Sequence, residues 1–175
     1  MRGRKNPAES EEDSSLEYLY AIGLQHSKRG SPRDAVFYFD RVLRINPNHT
    51  NALINKGNAL GKIGRYYEAI TCYERALKNT PYHDVCLLNM GLAHHYLQRY
   101  DESVSYYNRI IDREPKNAYA LYYKACSLAL QNKTDEAISN LEGAVTLEPS
   151  FAAKAQNDND FDNIREDDRF KAITA

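Results

Sequence analysis

The sequence has no long apolar run: a stretch of about 18 or more uncharged apolar residues, the minimum for a membrane-spanning helix, is absent from all 175 residues. The first residues are basic, Met1-Arg2-Gly3-Arg4-Lys5, and lead into acidic residues rather than the apolar segment of a signal peptide. We therefore expect neither a membrane partner nor a secretion signal.

Cysteine is scarce. Cys72, Cys86 and Cys126 are odd in number, and none lies in a C-x-x-C pair or near histidines at zinc-ligand spacing. This pattern favours a reducing, cytoplasmic compartment over a disulfide framework. Neither sign of charge is in excess, since 23 lysines and arginines face 24 acidic residues. Nucleic-acid binding usually needs a strongly basic surface, so we expect no nucleic-acid partner.

Catalytic and metal-binding motifs are also missing. No Gly-rich phosphate loop, G-x-S-x-G or H-E-x-x-H motif occurs. The pair His94-His95 invites a metal or general-base interpretation, but adjacent residues on a helix point about 100° apart and cannot chelate one ion together. We expect no enzyme activity, no cofactor and no metal.

A regular repeat is what the sequence does contain. Pro47, Pro81, Pro115 and Pro149 are evenly spaced along the chain, since 81 − 47 = 115 − 81 = 149 − 115 = 34. Other positions recur at the same offset: Leu19, Leu53, Leu87, Leu121; Gly23, Gly57, Gly91, Ala125; Ala35, Ala69, Ser103, Ala137; Phe39, Tyr73, Tyr107, Leu141. Apolar residues follow helical spacing twice in each period, which predicts two short amphipathic helices per unit.

The ends of these helices carry recognisable signals. We expect Ser31 and Thr134 to cap second helices, with Pro32 at the first helical position. Acidic residues begin each second helix, where they favour the positive end of the helix dipole: Asp34, Glu68, Glu102 and Glu136. The Gly or Ala column at 23, 57, 91 and 125 should let the two helices of a hairpin approach closely.

The period and the order Leu, Gly, Ala, aromatic, Ala, Pro resemble the tetratricopeptide repeat, over roughly Leu16 to Phe151. The resemblance implies an all-α, right-handed α-α superhelix of helix-turn-helix repeats at 16–49, 50–83, 84–117 and 118–151. It also implies a scaffold or adaptor whose first helices line a concave groove for a protein or peptide. The sequence departs from the family in lacking the frequent Trp at the Leu19 column, and in having His26 and His94 at core-facing positions.

The two ends fall outside the repeats. Residues 1–14 are polar and aperiodic, which predicts a disordered arm. Residues 150–175 begin a fifth unit and then lose the period, and we expect them to cap the last repeat, with Phe161, Ile164, Phe170 and Ile173 on the packed face. The alternative is that this tail folds into the groove as an internal ligand.

First-helix residues that do not face their own second helix are the candidate peptide-binding residues: Tyr20, Ile54, Asn55, Asn58, Leu88, Asn89, Leu92, Tyr119, Tyr122 and Tyr123. Carboxamides such as Asn55 and Asn89 offer a donor and an acceptor to the backbone of an extended peptide. The tyrosines offer rigid contact area. The alternative for any one tyrosine is that it only covers the next helix.

Family members that bind acidic chaperone tails use a clamp of two Lys, one Arg and two Asn. In one register Asn58 and Asn89 match this clamp, but Ile54, Tyr119 and Tyr123 stand at its basic places; the other register matches only Asn55. Without the cations the charge-assisted hydrogen bonds are lost, so we expect a neutral or apolar peptide instead. The alternative partner is a second copy of the chain, packed on Leu88, Leu92, Tyr119 and Tyr123.

Overall fold

The structure is a computed structural model that describes residues 7–175, with side chains from residue 15 onward. Within these residues the chain forms helices and loops and no strand, which confirms the predicted all-α class. The helices are α1 (Pro7–Lys28), α2 (Pro32–Ile45), α3 (Thr50–Lys62), α4 (Tyr66–Asn79), α5 (Asp84–Tyr96), α6 (Tyr100–Ile111), α7 (Ala118–Leu130), α8 (Thr134–Leu147), α9 (Ser150–Gln156) and α10 (Asp168–Thr174), with a 3₁₀ turn at Asn159–Phe161.

The first helix overlaps the arm predicted at residues 1–14. It begins at Pro7, and residues 1–6 lie outside the described residues. The chain divides into two compact units. The first unit ends at Cys86 and contains α1 to α4, and the second covers residues 87–175.

Each hairpin closes by packing a bulky side chain of its second helix against a small residue of its first. In the first unit a Cβ added to Gly57 would lie 2.5 Å from the Tyr73 ring, and one added to Gly23 would lie 2.6 Å from the Phe39 ring. In the second unit Gly91 meets Tyr107 in the same way, at 2.5 Å. The close approach expected from the small-residue column is confirmed.

The turn between the two helices has one conformation throughout. Gly30, Gly64, Gln98 and Asn132 occupy equivalent positions of successive repeats and all have positive φ, at 74°, 76°, 58° and 59°. The next residue donates its amide proton to a carbonyl five residues back, for example Ser31 to His26 and Arg65 to Leu60. These are the bonds of a Schellman motif, which satisfies the carbonyl groups at the end of the first helix.

The predicted side-chain caps at Ser31 and Thr134 are wrong. Ser31 occupies the N-cap position with Pro32 behind it, but its hydroxyl makes no capping bond, and Thr134 is already the first residue of α8, after the N-cap Lys133. The backbone ψ angle is 69° at Ser31 and 66° at Lys133. Each of these residues directly follows the positive-φ residue of a Schellman turn. The acidic residues in the first turns of α2, α4, α6 and α8 lie where they were predicted.

Caps that the sequence analysis missed stand before first helices. The His49 ring accepts from the Ala52 amide at 3.1 Å, and the Asn117 carboxamide accepts from the Ala120 amide at 3.0 Å. Both residues lie two positions after a recurring proline, Pro47 or Pro115, so their position in the period carried the signal.

The C-terminal segment packs on α7 and α8. Phe161, Ile164 and Phe170 are buried in one cluster with Leu141 of α8, and Ile173 lies partly buried against it. Two polar ties hold the same face: Asn163 donates to the Ala129 carbonyl, and Arg169 pairs with Asp135 at 2.8 Å. The segment therefore packs on the apolar face of the last repeat.

Candidate functional site

In the first unit, the predicted binding residues form hydrogen bonds with each other and with a core tyrosine. The Asn55 amino group donates to the Tyr20 hydroxyl at 2.9 Å, and the Asn58 carbonyl oxygen accepts from Tyr73 at 2.9 Å. All of these except Tyr73 are half-buried, and Ile54 is buried with 5% of its surface exposed. Ile54 thus lies in the core of this unit, whereas Tyr20, Asn55 and Asn58 reach its surface.

In the second unit, six predicted residues come from two helices. Leu88, Asn89 and Leu92 on α5 are half-buried. On α7, Tyr119 is 55% exposed, Tyr123 is half-buried and Tyr122 is fully buried.

Tyr122 covers the C-terminal segment instead of facing solvent. Its ring stacks on Phe151 with centroids 4.5 Å apart, and its hydroxyl donates to Asp158 at 2.8 Å. Burial raises the pKa of the Tyr122 phenol above its usual value, and the neighbouring Cys126 and Asp158 raise it further. Tyr122 is therefore a neutral donor that anchors residue 158, as the alternative interpretation of the tyrosines required.

The C-terminal segment also reaches Tyr123 and α5. The ammonium group of Lys154 lies 4.2 Å from the Tyr122 ring centroid and 4.5 Å from that of Tyr123, and it donates to the Tyr123 hydroxyl at 3.2 Å. On α5, the His95 ring lies 3.1 Å from the Asp160 carboxylate. Residues 154–160 thus occupy part of the face that the first helices of this unit present.

An open cavity of about 600 Å³ remains between this segment and the first helices. One wall is apolar and aromatic and comes from Leu92, Tyr96 and Tyr123. The other is mostly polar and comes from His95 of α5 and from Ala153, Lys154 and residues 157–160 of the C-terminal segment. A cavity with a few polar groups facing an apolar wall is the usual form of a binding site.

A buried chain of polar groups joins Asp160, His95, Ser127 and Ser103. The His95 Nδ1 lies 2.9 Å from the Ser127 hydroxyl, which lies 3.0 Å from that of Ser103. The order of groups resembles a catalytic triad, but both serine side chains are fully buried, so no substrate can reach them. We interpret the chain as a structural relay that ties α5, α6 and α7 to the C-terminal segment.

No sequence motif predicted this relay, although the repeat columns contained a signal for it. Ser103 and Ser127 stand in columns that hold alanine in other repeats, such as Ala69 and Ala93. Polar residues that replace core alanines need buried partners. Comparing the columns for such replacements would have singled them out.

Cys126, Asp158 and Asp160 also come close together, with one potential ligand atom from each within 4.8 Å of the others. Each already has a role in the fold. Asp158 caps the 3₁₀ turn through the Asp160 amide and accepts from Tyr122. Burial and the two carboxylates raise the pKa of the Cys126 thiol, so it stays protonated at neutral pH. Structural bonds account for the arrangement.

The two histidines of the His94-His95 pair lie in different surroundings. His94 is buried and stacks on Tyr106 with ring centroids 5.3 Å apart, the position expected for a core-facing residue. His26 stacks on Tyr38 at 5.2 Å in the equivalent place of the first repeat.

None of the helices within residues 7–175 is long and apolar enough to cross a membrane.

Repeated helical hairpins with glycine-to-ring contacts, closed by a packed C-terminal segment, define an all-α helical-repeat protein. Sequence models of the tetratricopeptide repeat match residues 16–49, 49–116 and 88–155. The chain belongs to the tetratricopeptide repeat family.

Solved structures agree with this fold. MamA from Desulfovibrio magneticus is 23% identical, with a TM-score of 0.76 over 90% of this chain and 88% of that one. The tetratricopeptide repeat protein TTC0263 from Thermus thermophilus is 21% identical, with a TM-score of 0.67 over 78% and 77%. At these identities the likeness shows the fold alone.

One curated relative, the uncharacterized protein MJ0572 of Methanocaldococcus jannaschii, is 36% identical over 52 residues. The match spans 30% of this chain and 60% of that protein. The chain is thus similar to only part of that relative's length.

Proposed function

We propose that this protein is a non-enzymatic scaffold that binds a segment of another polypeptide on the face formed by α5 and α7 in the second unit. The observation that carries the proposal is the open cavity of about 600 Å³ whose apolar wall is Leu92, Tyr96 and Tyr123. Tyr119, 55% exposed on α7, extends the available aromatic surface. Tyrosines contribute strongly to binding because they bury large area at low entropic cost.

Carboxamides supply the polar contacts in this proposal. Asn89 on α5 is half-buried, and its carboxamide carries both a donor and an acceptor. In the first unit, Asn55, Asn58 and Tyr20 would bind a peptide on the face formed by that unit's own first helices. The bond from Asn55 to Tyr20 already fixes both side chains, which lowers the entropy lost on binding.

A display library of random linear peptides, selected on the immobilised full chain, tests the proposal. Selected peptides should bind Tyr119→Ala and Leu92→Ser at least severalfold more weakly than the parent chain. Tyr67→Ala is the matched control, because Tyr67 is 62% exposed but lies on a second helix, α4. The proposal fails if no peptide is selected, or if both cavity variants bind as tightly as the control.

A second candidate function is self-association through the first repeat. Tyr18 is 67% exposed, whereas the equivalent positions of the other repeats, Ala52, Cys86 and Ala120, are fully buried. At this register α1 thus presents an exposed aromatic side chain where the later first helices are buried. Light scattering over a range of concentrations tests this candidate. Self-association predicts that the measured mass rises with concentration and that Tyr18→Ser returns it to the monomer mass. A constant monomer mass of the parent chain excludes self-association.

We also propose a cytoplasmic location. Cys72, Cys86 and Cys126 are buried and form no disulfide, as suits a reducing compartment. Alkylation of the unfolded protein directly after cell lysis should label three thiols; a disulfide in the freshly isolated chain would contradict this location.

A further inference from the structure

We propose that the cavity of the second unit recognises a basic side chain, a lysine or arginine of the bound peptide, and that Lys154 holds this place in the free protein. The inference rests on the proposed function and names the class of partner. A basic peptide differs from the neutral or apolar peptide that the sequence alone predicts. The surface concerned consists of Leu92, His95, Tyr96, Tyr123, Ala153, Lys154 and residues 157–160.

The first observation is the aromatic surface under the Lys154 ammonium. Its nitrogen lies 4.2, 4.5 and 5.5 Å from the ring centroids of Tyr122, Tyr123 and Phe151. A cation within about 6 Å of a ring face is attracted by the ring quadrupole. The three rings therefore form a site whose geometry accepts an ammonium or guanidinium group.

The second observation is the charge of the cavity. Among the residues that line it, Asp158 and Asp160 are the two carboxylates and Lys154 is the one lysine or arginine. If the Lys154 side chain swings into solvent, the lining that remains holds two carboxylates and His95, whose ring lies 3.1 Å from the Asp160 carboxylate, and it holds neither lysine nor arginine. This balance favours a cationic guest and disfavours an acidic one.

The third observation is that Lys154 lies at the surface of its helix, outside the packed core. It is exposed, and its ammonium group is held by a hydrogen bond to the Tyr123 hydroxyl at 3.2 Å and by the ring faces below it. By contrast, Phe151 and Ala155 on the same helix are buried in the core cluster. A guest cation thus competes with one flexible side chain and not with the packed segment.

The sign of the effect of Lys154→Gln tests the inference. Three synthetic peptides with one Gly/Leu scaffold carry paired lysines, paired glutamines or paired glutamates, and their binding to the full chain is measured by calorimetry. The lysine peptide should bind most tightly, and Lys154→Gln should tighten it by about two- to fivefold because an internal competitor is removed. Asp160→Asn should weaken it. Lys78→Gln, an exposed lysine on α4, is the control and should change nothing.

Other results overturn the inference. If the glutamate peptide binds best and Lys154→Gln weakens it, or if Lys154→Gln leaves lysine-peptide binding unchanged, the cavity does not select a cation. In both cases peptides from the display selection would still bind, so the proposed function survives. If neither the three peptides nor any displayed peptide binds, both proposals fail. Circular dichroism of each variant verifies that the helices are intact.

Discussion

At the scale of single residues, the side chain opposite a first-helix glycine determines whether a larger residue fits at that position. Gly57 and Gly61 both lie on α3, but only Gly57 faces a ring: an added Cβ would lie 2.5 Å from Tyr73, whereas Gly61 has open space within 4 Å. Tyr73 is buried with 2% of its surface exposed, so the ring cannot move aside easily. The column is therefore a packing requirement and not a helix preference.

This contrast gives a prediction with an internal control. Gly57→Ala should lower the free energy of unfolding by about 1–3 kcal/mol through overpacking. Gly61→Ala should raise it by up to about 1 kcal/mol, because alanine favours helix without a clash. Urea denaturation measures both. The account is contradicted if the two substitutions have the same sign.

The fourth repeat suggests the compensating change. There the columns of Gly57 and Tyr73 hold Ala125 and Leu141, which lie in one buried cluster. Adding Tyr73→Leu to Gly57→Ala should therefore cost less than the sum of the two single changes, a coupling that a double-mutant cycle detects.

Buried tyrosines predict an alkaline limit to stability. Burial raises the pKa of Tyr73, Tyr107 and Tyr122 above the usual value of 10.0. Since these pKa values are higher in the folded than in the unfolded chain, their contribution is complete below pH 10 and is lost as the pH rises further. Absorbance of tyrosinate, recorded with circular dichroism, should show these three ionising only as helix is lost. Ionisation of all 14 tyrosines in a folded chain would contradict the assignment.

At the scale of helices and segments, the C-terminal segment stabilises the second unit. Phe161 is fully buried against Tyr122 and Phe170, with ring centroids 5.8 and 5.6 Å apart. Phe161→Ala should lower the free energy of unfolding by about 3–5 kcal/mol. Hydrogen exchange should place the loss of protection in α7 and α8.

Phe37→Ala is the control for that prediction, because Phe37 on α2 is 57% exposed and should change stability by no more than about 0.5 kcal/mol. If Phe161→Ala leaves the exchange of α7 and α8 unchanged, the segment does not act as a cap.

The helices and their pairing were predictable because many columns repeat the same packing. Gly23, Gly57 and Gly91 each precede a ring at the same sequence separation, so a single rule, tested several times in one chain, fixed the hairpins. The capping side chains were less predictable, since the Schellman turn places Ser31 where its hydroxyl makes no capping bond.

The candidate site was only partly predictable, for a related reason. Tyr122 looked like a surface anchor by its register, but it is buried by Phe151 and Asp158 of the segment that has lost the period. The bonds from residues 154–160 to His95 and Tyr123 belong to that aperiodic segment, so no column of the repeat could indicate them.

At the scale of the whole molecule, the chain combines repeats that supply first-helix faces with a C-terminal segment that closes one of them in part. The cavity left open in the second unit has an aromatic wall from α5 and α7 and a charged wall from the segment. Function in this account depends on both walls, because the repeats alone would lack the carboxylates and the segment alone would lack the tyrosine rings.

The most direct measurement is a map of amide chemical shifts of the full chain during titration with a peptide from the display selection. If the peptide binds in the cavity, the largest changes fall on Leu92, Tyr96, Tyr119, Tyr123 and Lys154, with little change at Phe37 and Tyr67 on second helices. Changes concentrated on α6 and α8, with Tyr123 and Lys154 unaffected, would contradict the claim that the first helices and the C-terminal segment form the binding site.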